Sequence, residues 1–201
     1  MNVYIESNFV LELAFLQEQS SSCEEILRLA EGEHIELVVP AYALIEPYET
    51  LVRRKKGRQH IDRELSKELQ QIARNEEFKN QLEGFRDITA LLLRAVDEDE
   101  KRLKSVRSRL LRFARVIPME TSVLTSAENY EDEHELSPQD AHIYSAVLDH
   151  LRQTEDRASC FLNKNRKDFD DPNLVDELTS YGCKLLPSFD RGREYILSET
   201  G

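Results

Sequence analysis

The sequence is poor in cysteine, which bears on both metal binding and cellular compartment. Its 201 residues include three cysteines, Cys23, Cys160 and Cys183. They are odd in number and far apart, and no two form a CxxC pair, so neither a zinc ribbon nor a disulfide framework is supported. A chain without disulfides is typical of a reducing compartment, and we expect a cytoplasmic protein.

Long apolar runs are lacking too. No stretch approaches the roughly 18 consecutive apolar residues that a membrane-spanning helix needs. Residues 1–6 lack the basic and apolar regions of a signal peptide. We therefore expect no membrane segment and no secretory leader.

Three familiar catalytic motifs are also missing. The chain has no GxxxxGK[ST] phosphate loop, no GxSxG elbow and no HExxH pair. These motifs mark P-loop NTPases, α/β-hydrolases and zinc proteases, respectively. The sequence therefore gives no support to these three classes of enzyme.

The overall charge argues against a nucleic-acid partner, but its distribution is uneven. The net charge is −12, whereas phosphate binding normally uses an excess of Lys and Arg. Two basic clusters interrupt this acidity, at residues 53–58 and 101–115, and the second contains no acid. Such clusters either follow a phosphate backbone or form helix faces paired with surrounding acids. The sequence leaves both interpretations open.

Short apolar strands alternate with helical patterns along the chain. Runs rich in β-branched and other apolar residues predict strands at 3–5, 35–39, 116–117, 159–162 and 184–186. Ser22 with Glu25 predicts a capping box at the start of the second helix. This alternation predicts an α/β fold with a mainly parallel sheet of about five strands and helices on both faces.

The middle of the chain has a helical pattern throughout. From residue 60 to 115 there is no proline and a single glycine, Gly84. Three apolar stripes recur there at helical spacing. The pattern predicts two or three amphipathic helices and is compatible with hairpins.

Four acidic residues lie near the predicted ends of strands or starts of helices. They are Glu6, Glu46, Asp140 and Asp168. Because binding sites form at the carboxyl ends of parallel strands, these carboxylates can converge there. Oxygen-only clusters suit Mg²⁺ or Mn²⁺, and such ions activate water and neutralise charge on a transferring phosphoryl group.

Each of these acids also has a local structural explanation. Asp140, three residues after Ser137, fits a capping box. Glu46 fits a solvated helix face and Asp168 fits an Asx-turn. Glu6 fits the electropositive start of the helix that follows it. The hypothesis of a metal site therefore depends on the four residues taken together.

In combination, these segments resemble the PIN-domain family. The family has a strand leading into an acid, a hydroxyl residue and Asn, and a strand ending in Pro before a helix that carries an acid. It also has a Leu-Ser-x-x-Asp-Ala-x-Ile segment and a strand leading into an Asn-rich turn with Asp-Phe. Here these motifs occupy residues 3–8, 38–46, 136–143 and 161–169.

The resemblance, which covers residues 1–52 and 116–190, implies a PIN-like three-layer sandwich. It implies a single domain over 1–201, in which the helical segment at 57–115 is an insertion. Such an insertion would shape a substrate groove or a dimer interface.

The resemblance also implies a function, a metal-dependent endonuclease that hydrolyses phosphodiester bonds, usually in RNA, and often acts as the toxin of a toxin–antitoxin pair. Carried over residue by residue, the catalytic ligands of Mg²⁺ or Mn²⁺ would be Glu6, Glu46, Asp140 and Asp168. Ser7 and Asn165 would support them, and the residues facing the phosphate would be Lys164, Arg166 and Lys167. The implied partners are RNA and an antitoxin protein. The apolar stripes of the inserted helices either favour a second copy of the chain as a further partner or pack on the core.

Two positions depart from the family pattern. Glu6 stands where the family usually has Asp, and Asn165 stands where it often has a further Asp. A longer side chain changes the geometry at a metal, and an amide oxygen binds without adding negative charge. Two rival hypotheses therefore remain: a PIN-like module that binds RNA or protein without cleavage, and a helical interaction protein with no nucleic-acid role.

Overall fold

Strands and helices alternate along the chain as the sequence predicts. The computed structural model describes residues 1–78, 82–154, 158–165, 169 and 171–200. In this part of the chain the strands are β1 (Asn2–Ile5), β2 (Glu36–Pro40), β3 (Arg115–Ile117), β4 (Ser159–Leu162) and β5 (Cys183–Leu186). They form one parallel sheet in the order β3-β2-β1-β4-β5. The predicted α/β fold with a five-stranded parallel sheet is confirmed.

Helices cover both faces of this sheet. They are α1 (Ser7–Phe15), α2 (Ser20–Glu31), α3 (Glu46–Ile72), α4 (Glu83–Phe113), α5 (Thr121–His134), α6 (Pro138–Gln153), α7 (Pro172–Ser180) and α8 (Phe189–Thr200). Right-handed crossovers place α1, α2 and α4 on one face, where α8 joins them, and α5, α6 and α7 on the other. The layers are those of a three-layer sandwich. None of the described helices is long and apolar enough to cross a membrane.

Two local predictions differ from the structure. The second helix begins at Ser20 rather than Ser22, so the predicted capping box is wrong. The Ser22 hydroxyl instead donates a hydrogen bond to Asp190 Oδ1 of α8 at 2.5 Å. The predicted elements also end at residue 186, whereas α8 follows and packs against α2.

The sheet forms the centre of the hydrophobic core. Val3, Tyr4 and Ile5 of β1 and Phe161 of β4 have no exposed surface, as expected for parallel strands covered on both faces. The three cysteines are buried and unpaired. The rigid centre of the sheet therefore fixes the positions of the residues that follow β1 and β4.

The two longest helices, α3 and α4, form the predicted hairpin. Leu103 and Leu110 in the second half of α4 are fully buried. Arg58 of α3 binds Asp99 of α4 at 2.7 Å, and nearer the hairpin tip Leu69 of α3 and Thr89 of α4 line one cavity. The two helices are therefore antiparallel, and the inner half of the hairpin joins the core.

Ion pairs engage most cations of the basic cluster at 101–115. Arg109 binds Glu24 and Glu31, each at 2.8 Å. Four other cations of this cluster pair with acids: Lys101 with Glu98, Arg102 with Asp99, Lys104 with Glu100 and Arg115 with Glu36. Of the two interpretations of this cluster, the structure supports paired helix faces for these residues.

Candidate functional site

The carboxyl ends of β1 and β4 lie where the strand order reverses. β1 pairs with β2 on one side and with β4 on the other. Because the connections leave β1 and β4 in opposite directions, a crevice opens beyond these strand ends. Glu6 follows β1 and Asn163 follows β4, while α3 begins with Glu46 shortly after β2.

Glu6 is buried at this edge of the sheet, with 4% of its surface exposed. It is the N-cap of α1, because its Oε2 accepts a hydrogen bond from the Asn8 backbone N–H at 2.8 Å. Its Oε1 accepts one from the backbone N–H of Lys164 at 3.3 Å. This carboxylate therefore connects the end of β1 to the turn after β4.

Asp140 lies in the first turn of α6, where Ser137 is the N-cap. The Ser137 hydroxyl accepts a hydrogen bond from the Asp140 backbone N–H at 3.2 Å and donates one to Asp140 Oδ2 at 2.6 Å. Asn165 Nδ2 donates to the same oxygen at 3.4 Å. Asp140 thus takes part in capping the helix and also meets Asn165, one of the predicted supporting residues.

Glu46, the first residue of α3, is paired with the other predicted supporting residue. The Ser7 hydroxyl donates a hydrogen bond to Glu46 Oε2. Ser7 is buried and Glu46 is half-buried. The start of α1 therefore holds the carboxylate at the start of α3 in position.

Negative charge from three elements converges at this site. Burial raises the pKa of Glu6 to about 7; two backbone N–H donors oppose this shift and the charge of Asp140 adds to it. Burial also raises the pKa of the Tyr42 phenol, and the charges of Glu46, Glu49 and Asp140 raise it further. The charge of Asp140 therefore acts on Glu6 and, together with that of Glu46, on the Tyr42 phenol.

The donor atoms at this site suit a hard divalent ion. All are oxygens, the ligands that Mg²⁺ and Mn²⁺ prefer, and a nearby cation would favour the ionised form of the buried Glu6 carboxylate. Among the residues that the structure describes, no three His, Cys, Asp or Glu side chains are close enough together to hold an ion. The residues present fit an ion that has few protein ligands and keeps several waters.

Three of the predicted site residues lie outside the described part of the chain. They are Asp168, the fourth predicted ligand, and Arg166 and Lys167, which were predicted to face the phosphate. Their neighbours Asn165 and Phe169 are described, and Phe169 is buried against Phe161 of β4.

The Lys164 ammonium, also predicted to face the phosphate, is bound by two acids. Its Nζ lies 2.6 Å from Glu12 Oε1 and 3.3 Å from Glu18 Oε2. Glu12 is fully buried, and burial of a carboxylate without a partner is strongly destabilising. This pair fastens the turn after β4 to α1 and so fixes the main chain that carries Asn165.

Two aromatic residues beside the carboxylates are missing from the predicted site. Tyr42 lies in a 3₁₀ turn, Ala41–Leu44, directly after β2, and His142 lies two residues beyond Asp140 on α6. Their rings are stacked, with centroids 6.1 Å apart and an interplanar angle of 30°. Their nearness in sequence to Pro40 and Asp140 is the signal that would have pointed to them.

Comparison with known proteins agrees with this geometry. The family model of the PIN domain matches residues 3–169. No curated protein matches the chain. The matched range runs from β1 to the turn after β4, so it contains every residue predicted for the site. The chain therefore belongs to the PIN-domain family.

Proposed function

We propose that this protein is a metal-dependent endoribonuclease that hydrolyses phosphodiester bonds. PIN domains are generally nucleases, and the chain has their fold. The observation that supports the proposal is the position of these acids in the fold: Glu6 directly follows β1, Glu46 begins α3 and Asp140 lies in the first turn of α6. In this proposal these three carboxylates, with Asp168, are the ligands of Mg²⁺ or Mn²⁺.

The hydrogen bonds around the carboxylates support such a site. A bound divalent ion supplies a water of lowered pKa and neutralises charge on the phosphoryl group. The Ser7 hydroxyl orients Glu46, and Ser137 and Asn165 orient Asp140. Contacts of this kind hold a ligand in the position that metal binding requires.

Cleavage of single-stranded RNA tests the proposal. Purified protein is incubated with RNA of mixed sequence and with Mg²⁺, Mn²⁺ or a chelator, beside the Asp140→Asn variant. We expect metal-dependent cleavage that falls by about 100-fold or more in this variant, since even residues that only support a ligand change activity by up to about that factor.

The matched control for this test is Asp132→Asn, because Asp132 is an exposed acid of α5. It should cleave like the unsubstituted protein. Equal loss of activity in both variants would mean that the change at Asp140 acts through general charge or stability and would remove Asp140 from the proposed ligands.

A second function, binding of RNA or protein without cleavage, is favoured by one feature of Glu6. Each of its carboxylate oxygens accepts a hydrogen bond from a backbone N–H, which adds a structural role to the proposed metal role. This alternative predicts RNA binding without cleavage in either metal. That result, from a folded protein, would overturn the nuclease proposal.

Several finer statements stay predictions. They concern a role as a toxin, an antitoxin partner, a cytoplasmic location, and a single domain over 1–201 with an insertion at 57–115. For the assembly we propose a homodimer. It forms through the outer half of the α3–α4 hairpin, residues 59–95.

A further inference from the structure

The stacked pair formed by Tyr42 and His142 is held from two sides. Tyr42 belongs to the turn that follows β2, and His142 belongs to α6. His142 Nδ1 is hydrogen-bonded to the Pro138 carbonyl oxygen. A carbonyl oxygen only accepts, so Nδ1 carries the proton and donates it, which fixes the ring against its own helix. Both residues remain half-buried, so part of the pair is accessible.

Tyr42 lies four residues before Glu46 and stacks on His142, which lies two residues beyond Asp140. The charges of Glu46, Glu49 and Asp140 act on the Tyr42 phenol. Its hydroxyl makes no hydrogen bond to any residue in the described ranges. Tyr42 therefore presents an aromatic ring at the site that stacks on His142 and packs in part against the hydrophobic core.

A similar pair elsewhere in the molecule has a structural role. Tyr130 and His134 of α5 stack with centroids 5.8 Å apart and an interplanar angle of 26°. There the Tyr130 hydroxyl donates to Glu177 at 3.0 Å, and His134 binds Asp171 at 2.6 Å. Both polar ends of that pair are thus used within the protein, unlike the Tyr42 hydroxyl.

The surroundings of Tyr42 favour a neutral planar ligand. Beyond the charge that a bound metal ion neutralises, the carboxylates repel further phosphates, and the Lys164 ammonium is bound by Glu12 and Glu18. A nucleobase has no charge, and every base has a π-face that stacks on an aromatic side chain. Stacking on Tyr42 therefore binds a nucleotide at a place where ion pairs between its phosphate and protein cations are few.

We propose that Tyr42, held in place by His142, is the stacking site for one unpaired nucleobase of the substrate, close to the scissile phosphate. The choice of RNA as the ligand rests on the proposed function. The stacking site adds a requirement on the conformation of that RNA. A base within a duplex is stacked on both faces, so this nucleotide must be single-stranded or turned out of the helix.

Binding of RNA that lacks one base at a time tests the stacking site. The probe is a short, 5′-fluorescein-labelled single-stranded RNA, and a series of copies each carries one abasic position. Binding is measured by fluorescence anisotropy with Mg²⁺ in the Asp140→Asn background, which is intended to prevent cleavage. Tyr42→Leu and Tyr42→Trp are added to this background, and Tyr130→Leu is the matched control from the other stacked pair.

We expect one abasic position to weaken binding by about 5- to 100-fold, the range found for loss of one base–aromatic contact. Tyr42→Leu should weaken binding of intact RNA by a similar factor and abolish the effect of that abasic position. Tyr42→Trp and Tyr130→Leu should preserve both the binding of intact RNA and the effect of that abasic position. If folded Tyr42→Leu protein, verified by circular dichroism, remains as sensitive to the abasic position as its parent, the stacking site is wrong.

Failure of the stacking site and failure of the nuclease proposal give different results. Cleavage by the unsubstituted protein, with an abasic effect that does not depend on Tyr42, overturns the stacking site alone. An abasic effect that depends on Tyr42, without cleavage in any metal, supports the stacking site and overturns the nuclease. Absence of RNA binding overturns the stacking site whatever the cleavage assay shows.

Discussion

Glu6 combines a structural and a proposed catalytic role, and the two make opposite demands on its charge. As a buried group without a bound ion it favours the protonated form, and its pKa rises to about 7. As a metal ligand it must be ionised, so binding of an ion would release a proton at neutral pH. Above neutral pH the folded protein therefore contains an ionised, buried Glu6 carboxylate, which is unfavourable until a cation binds.

The raised pKa of Glu6 predicts how stability changes with pH in the presence of a chelator. The folded-state pKa of about 7 lies above the ordinary value of 4.5, so between these values the folded state binds more protons than the unfolded state. This contribution to stability is complete below the ordinary pKa and is lost as pH rises through 7, by about 3 kcal/mol in total. Glu6→Gln has no such charge, so urea unfolding should show its stability relative to the unsubstituted protein rising with pH across this window.

Glu128→Gln is the control for this pH dependence, since Glu128 is an exposed residue of α5. It should follow the unsubstituted protein at every pH. A difference between Glu6→Gln and the unsubstituted protein that stays constant with pH would show that Glu6 does not titrate in this window.

The Ser7 hydroxyl provides a second prediction at the scale of single residues. Because it donates to Glu46 Oε2 from a buried position, Ser7→Ala should leave the fold intact and loosen the carboxylate. We expect the Mn²⁺ concentration for half-maximal cleavage to rise by about 10- to 100-fold. Ser108→Ala, on an exposed face of α4, is the control, and an equal response in both variants would contradict the role of Ser7.

Among the helices, Arg109 connects α4 to α2. Its guanidinium binds Glu24 and Glu31 from a position about 30% exposed. Removal of a partly buried network of this kind leaves two acids without their partner, so Arg109→Ala should lower the free energy of unfolding by about 1–2 kcal/mol. Urea unfolding measures this change.

The control for Arg109 is Lys101→Ala, because Lys101 pairs with Glu98 at a position 71% exposed. Exposed pairs contribute little to stability because water screens them, so this variant should unfold close to the unsubstituted protein. If both variants lose the same stability, the contact between α4 and α2 is no stronger than an ordinary surface pair.

Local patterns predict the elements of this fold better than their contacts. The strand predicted at 159–162 coincides with β4, and Ser137 caps α6 as expected, because burial and capping leave short-range signals. The acids after strands were predicted because parallel strands bring their carboxyl ends to one edge.

Contacts between distant residues leave no such signal. The Tyr42–His142 pair joins residues a hundred positions apart in sequence, and the hydrogen bond from Lys164 to Glu12 spans 152 positions. Neither contact changes the pattern of apolar and polar residues in the sequence around the residues that form it. The family resemblance placed Lys164 at the phosphate, and nothing local in the sequence indicated that its ammonium binds Glu12 and Glu18.

At the scale of the whole molecule, the outer half of the α3–α4 hairpin exposes many large apolar side chains. Large apolar side chains there are 42–53% exposed: Ile61, Ile72, Phe78, Phe85, Ile88, Leu91 and Leu93. Exposed apolar side chains that gather in one segment are typical of an interaction site. A second hairpin laid against the first would complete a four-helix bundle.

The charge of this segment favours a second copy of the chain as the partner. Residues 59–95 contain six Lys or Arg and seven Asp or Glu, although the whole chain has a net charge of −12. Two copies can therefore approach through their hairpins with little repulsion. A symmetric dimer uses the same patch on both chains, which a nearly neutral patch permits.

We expect sedimentation to give twice the 23.4 kDa mass of the chain, and Leu91→Glu to give the monomer, because the charge would be buried in the bundle. Leu111→Glu is the matched control: Leu111 is 54% exposed and Leu91 is 53% exposed, and both lie on α4, but Leu111 lies outside the outer half of the hairpin. The Leu111→Glu protein should remain dimeric.

Two outcomes would contradict the hairpin interface: a monomeric unsubstituted protein, or a Leu91→Glu protein that stays dimeric. In either case the exposed apolar side chains of the hairpin would lie outside any contact between copies.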